Sequence, residues 1–174
     1  MQSINLIILI LSWFFQQEKP VNQPLQWVSP AEAEIALQNT RKPVLVSLYT
    51  DWCGWCRLME KNTWTDSRLA RYVNEHFSAV KFNAESSVVV EWGKERFNLQ
   101  KGRRTHDFAF FITKGKLRSY PTLIIIPAPG EDPQVIPGYL TPGDMEPILK
   151  YFASGAWKEK DFAQFFRTFR GEWK

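Results

Sequence analysis

Apolar residues in this chain fall into two kinds of run. Residues 44–50 and 123–126 are nearly continuous apolar, β-prone stretches, as strands covered on both faces should be. Elsewhere the apolar positions are spaced. Leu69, Tyr72, Val73 and Phe77 recur at helical intervals, as do Met145, Ile148, Leu149 and Phe152, and then Phe162, Phe165, Phe166 and Phe169. Local signals bound these runs. Residues 25–28 read as a short edge strand. Ser29 and Pro30 form an N-cap and first-turn pair ahead of a helix over 31–38, closed by residues 41–43. Residues 57–62 read as a helix, Thr65-Asp66-Ser67 offers a fresh cap, and 79–83 read as the next strand. Residues 88–92 and 95–99 flank Gly93-Lys94 as a hairpin. Thr105 is the expected cap of a helix through Phe108, Phe111 and Ile112, stopped at Lys114-Gly115. A turn over 127–133 and a strand over 134–136 follow. Thr141-Pro142 then opens a helix, and a last helix covers about 160–170. Alternation early and a hairpin late predict an α/β fold, a mixed central sheet with helices on both faces.

Composition changes this picture little. The 174 residues suffice for one domain, and eight tryptophans and thirteen phenylalanines are ample for its core. The formal charge of +4 is spread among acids, so nucleic-acid binding has no support. The basic stretch 101–104 reads as a solvated loop. Residues 4–15 are almost wholly apolar and end abruptly at a polar stretch. That is the length of a signal-peptide core and short for a bilayer span. No Lys or Arg precedes it and no clear cleavage site follows; no cysteine behind it offers a lipid anchor. The expected division is a signal peptide or apolar segment over 1–19, a main domain over 25–152 and an aromatic helical extension over 153–174. The location implied is exported, periplasmic or extracytoplasmic. The C-terminal aromatic stripe is expected to dock on the domain.

The chemistry sits in Asp51-Trp52-Cys53-Gly54-Trp55-Cys56-Arg57, which holds both cysteines of the chain. A Cys-x-x-Cys between a strand and a helix places its first sulfur at a helix N-terminus. There free N–H groups and the helix dipole favour a thiolate. The second sulfur, one turn on, can close a small disulfide ring. A structural zinc site needs four ligands, and neither His76 nor His106 lies at a finger-like spacing. A purely structural disulfide over so short a loop adds little stability. Thiol–disulfide exchange is therefore the preferred reading, with no metal and no cofactor.

Three segments in order resemble the thioredoxin fold: residues 44–56 its first strand and active site, Lys81-Phe82-Asn83 its next strand, and Tyr120-Pro121-Thr122 its cis-proline segment. Residues 56–66 are similar to the C-terminal reductase domain of the disulfide transducer DsbD. The inserted hairpin, basic loop and aromatic tail resemble exported bacterial thioredoxin-like proteins. The resemblance implies a Cys53–Cys56 redox pair, a cis Tyr120–Pro121 bond, and a backbone beside the sulfurs on which an extended substrate can pair. Two positions depart from it. Ser47 stands where thioredoxin and the DsbD domain carry a buried Asp, and the dipeptide between the cysteines is Gly54-Trp55 rather than Gly-Pro.

Cys53 is thus the expected exposed nucleophile and Cys56 the resolving thiol. Trp52 and Trp55 flank the site as an apolar docking surface, with Trp52 expected to pack and Trp55 to be exposed. Gly54, Tyr120 and Pro121 complete the supporting set. With Ser47 unable to act as a base, Glu60, four residues after Cys56 on the same helix face, and Lys81 are the candidates for proton transfer. The ordinary alternative for Glu60 is an exposed residue paired with Lys61 or Arg57. Partners would be protein thiols or disulfides and a membrane electron-transfer protein, met by a monomer. The alternative function is a binding module whose disulfide stays closed.

Overall fold

The computed structural model describes residues 23–173. The apolar run at 4–15 and the expected signal peptide lie outside them. Helix α1 (Pro30–Thr40) starts at a capping box: the Ser29 hydroxyl accepts the Glu32 amide, and the Glu32 carboxylate accepts the Ser29 amide. It is followed by β1 (Val44–Tyr49), α2 (Gly54–Asn62), α3 (Ser67–His76) and β2 (Ser78–Asn83). Next come the hairpin β3 (Val90–Trp92) and β4 (Glu95–Phe97), then α4 (Asp107–Ile112), β5 (Thr122–Ile126) and β6 (Gln134–Pro137). Helix α5 (Pro142–Ala153), a single 3-10 turn and α6 (Phe162–Thr168) end the described chain.

Among the described residues the main sheet has four strands in the order β2-β1-β5-β6. β1 pairs parallel with β2, while β5 and β6 each run antiparallel to their inner neighbour. The apolar runs are continuous because both faces of the sheet are covered. Successive side chains of a strand alternate in direction. Leu45, Leu123 and Ile125 therefore meet Met59, Val73, Met145 and Leu149 on one face. Val44, Val46, Leu48, Ile124 and Ile126 meet Leu37, Phe108 and Ile112 on the other. Ser47 shares the Leu45 face, which is the side on which α2 lies. That parity carries the sequence signal of β1 into the active site.

Several elements differ from the sequence-based expectations. The edge strand at 25–28 reduces to one bridge, Trp27 to Ala79. The hairpin is shorter than expected, because Val88 and Val89 lie outside its ladder and are exposed. Its turn passes through Gly93 at φ +61, a left-handed conformation that glycine adopts freely. Helix α4 is capped by His106 rather than Thr105. The buried imidazole accepts the Phe108 amide at Nδ1 and meets the Val88 carbonyl at Nε2, both at 3.0 Å, so it ties the hairpin to the helix as well. The final helix is shorter than 160–170. Asp161 caps it through the Gln164 amide, and Phe169 is already extended.

The C-terminal segment folds back onto α5. Phe162 and Phe165 each meet the Tyr151 ring at 5.3 Å, and the buried Trp173 meets Tyr72 at 5.4 Å. Glu146, inside α5 and only 1% exposed, accepts the amides of Glu172 and Trp173 and an ion pair from Lys150. Burial alone would raise this carboxyl. The Lys150 ammonium and the two amides outweigh it and hold Glu146 below the usual glutamate value.

Candidate active site

β1 runs out at Tyr49, and the chain turns through Thr50 to Trp52 before α2 begins. The Cys53 amide donates to the Thr50 carbonyl at 3.2 Å, and Cys53 becomes the N-cap of α2. Its Sγ accepts the Cys56 amide at 3.0 Å, the role that a hydroxyl or carboxylate oxygen usually fills at this position. A sulfur so placed faces free N–H groups and the positive end of the helix dipole. Both favour the thiolate when the ring opens. The two cysteines form a disulfide with a Cα–Cα distance of 5.2 Å.

The expected contrast in exposure between them is absent. Cys53 is 4% exposed and Cys56 7%. In the closed ring the Cys53 sulfur is turned inward, onto the Cys56 amide and the Cys56 sulfur. Gly54 leaves the adjoining surface open, since a Cβ there would meet only the Arg57 guanidinium, at 3.9 Å.

Trp52 does not pack as expected. It is 59% exposed, its indole N–H donates to Glu85 at 3.1 Å, and its ring meets Tyr120 edge-on at 5.9 Å. Trp55 is 62% exposed and meets Tyr139 at 5.8 Å. Two aromatic pairs thus flank the disulfide. Burial pushes the Tyr120 hydroxyl above its ordinary pKa, with a hydrogen bond to Thr105 working in the opposite direction. Tyr120 is therefore neutral wherever the protein works near neutral pH.

The Tyr120–Pro121 bond is cis, and Pro121 lies at the head of β5. Its carbonyl accepts the Gly138 amide at 2.8 Å, and the Thr122 hydroxyl donates to Ser119 at 2.7 Å, so both sides of the bond are pinned. Pro121 and Cys56 line a common cavity of about 210 Å³. Ser47, Thr50, Glu60 and Lys81 line it as well.

Lys81 is opposite Ser47 in the β1–β2 register. Its ammonium reaches Glu60 at 2.6 Å and lies over the Tyr49 ring at 5.2 Å. Glu60 thus pairs with neither Lys61 nor Arg57. Arg57 instead donates to the Asp51 carbonyl at 2.8 Å. The two proton-transfer candidates form one ion pair beside Cys56, although they come from different elements. In the basic loop, Arg103 pairs with Asp107 and Arg104 with Glu85.

Sequence reasoning missed Thr50, Tyr139 and Glu85. Thr50 carried a usable signal, as a hydroxyl residue at the end of an apolar strand and three positions before Cys53. Tyr139 and Glu85 reach the site only through the tertiary fold.

Comparison with known proteins places this arrangement. The family described as "Thioredoxin-like domain" matches residues 30–153. A thioredoxin-fold protein from Helicobacter pylori superposes with a TM-score of 0.57 at 20% identity, over 80% of this chain and 81% of that one. A structure titled DsbH Oxidoreductase gives 0.56 at 23% identity, over 84% and 94%. A Thermus thermophilus thioredoxin gives 0.52 at 13% identity, over 85% and 99%. An uncharacterised Caenorhabditis elegans protein is 31% identical over 71 residues, 40% of this chain. That stretch is a tenth of the worm protein's own length. The structural likenesses establish the fold, and the match over 30–153 establishes the family: the chain belongs to the thioredoxin-like domain family.

Proposed function

We propose that this protein is an exported thiol–disulfide oxidoreductase that exchanges electrons with protein disulfides through Cys53 and Cys56. The observation that carries this reading is the Cys53 sulfur at the N-cap of α2, fed by the Cys56 amide and bonded to its neighbour one turn on. A pair kept only for stability has no need of this placement.

In the reducing direction the Cys53 thiolate attacks one sulfur of a substrate disulfide. A bond forms between Cys53 and that sulfur, and the other substrate sulfur leaves as a thiolate and is protonated. Cys56 then loses its proton and attacks Cys53. The Cys53–Cys56 bond forms, the mixed disulfide breaks, and the second substrate thiolate leaves. Two electrons have passed to the substrate, and the chain is in the disulfide form seen here. The oxidising direction runs the same steps backward. A partner's reduction potential sets which is used.

The remaining residues support these steps. The Tyr120–Pro121 segment offers backbone for an extended substrate to pair with, and Trp52 and Trp55 offer apolar surface beside it. Glu60, paired to Lys81, accepts the Cys56 proton in place of the carboxylate that Ser47 replaces. The apolar pattern of residues 4–15 supports export to a periplasmic or other extracytoplasmic space, where a membrane electron-transfer protein would renew a reductant. The thioredoxin-like unit is assigned to 25–152 and a docked extension to 153–174, in a monomer.

The test is reduction of insulin by dithiothreitol. The wild-type protein should accelerate it and Cys53→Ser should not. Equal rates would remove the enzymatic reading and leave a binding module with a closed disulfide.

A further inference from the structure

Thr50 sits at the exit of β1, where its carbonyl accepts the Cys53 amide. Its hydroxyl has no such partner. The residue is 1% exposed, and Oγ1 is the buried side-chain polar atom that lacks a hydrogen bond among the described residues. Valine has the same shape and an equal liking for strand-like backbone, without a buried hydroxyl to satisfy. A threonine at this point needs a reason other than packing.

The cavity supplies one. Thr50 lines it together with Cys56, Ser47, Glu60 and Lys81. Its volume of about 210 Å³ has room for water, which takes about 30 Å³ per molecule in the liquid. The walls offer the several polar partners that a buried water requires. Glu60 and Lys81 close on each other at 2.6 Å on its rim, and their side chains are partly exposed to solvent.

We propose that Thr50 is a positioning residue of the resolving step, whose hydroxyl holds a cavity water between the Cys56 thiol and the Glu60 carboxylate. The inference rests on the oxidoreductase reading above. When Cys56 attacks the mixed disulfide, its proton passes to this water, and a proton of the water passes to Glu60. Lys81 balances the Glu60 charge before the transfer. The Cys56 electron pair forms the bond to Cys53, and the substrate sulfur leaves with the pair from the broken bond. Thr50 itself gives up and takes no proton. It fixes the water that does the transfer, in a wall where Ser47 has replaced an acid.

Rapid mixing of the reduced protein with dithiobis-nitrobenzoate separates the two steps, because each releases one coloured thiolate. The first release reports attack by Cys53 and the second reports resolution by Cys56. Thr50→Val should leave the first phase unchanged and slow the second about tenfold near neutral pH, the upper end for the loss of one neutral hydrogen bond. The pH profile of the second phase should move upward by about one unit. Thr50→Ser should restore both. A Thr50→Val second phase that overlays wild type overturns the proposal. So does a slowed phase with an unshifted profile, or one that serine fails to rescue, since either marks a packing effect. Absence of the first phase in wild type removes the oxidoreductase reading itself, and this inference with it.

Discussion

Replacing Glu146 by Gln should detach the C-terminal tail and destabilise the fold in a pH-dependent way. The carboxylate is 1% exposed and accepts the Glu172 and Trp173 amides at 2.8 Å while pairing with Lys150 at the same distance. Glutamine keeps the shape but turns one acceptor into a donor, which then faces the Trp173 or Glu172 N–H. It also removes the charge opposite Lys150. Breaking a buried pair typically costs about 3–5 kcal/mol. Lys150 is partly exposed and keeps Glu172 at 3.2 Å, so the lower end, about 3 kcal/mol, applies. For a chain of this size that lowers Tm by roughly 6–12 °C. The sign of the pH dependence follows from linkage. Glu146 titrates below its unfolded value of 4.5, so the folded state favours the ionised form. Its contribution is complete above that value and is lost as pH falls through the lower, folded value. Urea melts of both proteins at pH 7 and pH 3 decide the matter. The gap should be full at pH 7 and smaller at pH 3, which lies below the unfolded value of 4.5. Equal stability at pH 7, or a gap that persists undiminished at pH 3, refutes this account of the tail.

Three further outcomes are expected. Brief iodoacetamide treatment of the reduced protein near neutral pH should label Cys53 before Cys56, because the N-cap sulfur receives the Cys56 amide; mass mapping that finds Cys56 labelled first reverses the two roles. Trp55→Ala should raise KM for a protein disulfide several-fold and leave the rate with a small aromatic disulfide unchanged, since its ring is 62% exposed beside the sulfurs; a uniform loss on both would mean that Trp55 shapes the helix start instead. Burial, only partly offset by the Val88 contact, holds His106 below the usual histidine value, so its contribution is whole above about pH 6.5 and declines as pH falls. His106→Ala should cost about 1–2 kcal/mol at pH 8, the scale of a lost helix cap, and chemical denaturation showing no loss would discount the tether.

The parts of this fold legible from sequence are those whose energetics are local or strictly periodic. β1 and β5 announce themselves because burial on both faces forces unbroken apolar runs. Helix α1 is legible from Ser29 and Pro30, a cap and first-turn pair whose preferences are local. The redox pair is legible because its chemistry needs two cysteines one turn apart. What escaped depends on contacts far along the chain. His106 is not legible as the cap, and Thr105 looks the better one, because the Val88 carbonyl that occupies the second His106 nitrogen lies 18 residues away. For Trp52 local sequence predicts packing, as for most tryptophans. Its partners, Glu85 and Tyr120, come from two other segments and hold it upright at the surface. Glu146 looks like an ordinary polar position of α5 until the tail folds back and delivers two amides to it.

Ser47, at the position where the thioredoxin resemblance implies an acid, bears on the proposed chemistry. An ionised carboxylate at position 47 would stand in a wall that is buried and largely apolar, beside Leu45 and Met59, at a heavy desolvation cost. Serine avoids that cost but cannot take a proton at neutral pH. An acid is found instead at Glu60, one turn beyond Cys56 on α2, where it is partly exposed and pairs with Lys81 at 2.6 Å. Cys56 and Glu60 both line the space of about 210 Å³. In the proposed route a proton that crosses this space needs a carrier and a group to hold it. The buried, otherwise unpartnered hydroxyl of Thr50 is in the wall where such a group is needed. In the proposed route Ser47, Thr50, Glu60 and Lys81 act together on the Cys56 proton, from positions spread over β1, its exit turn, α2 and β2.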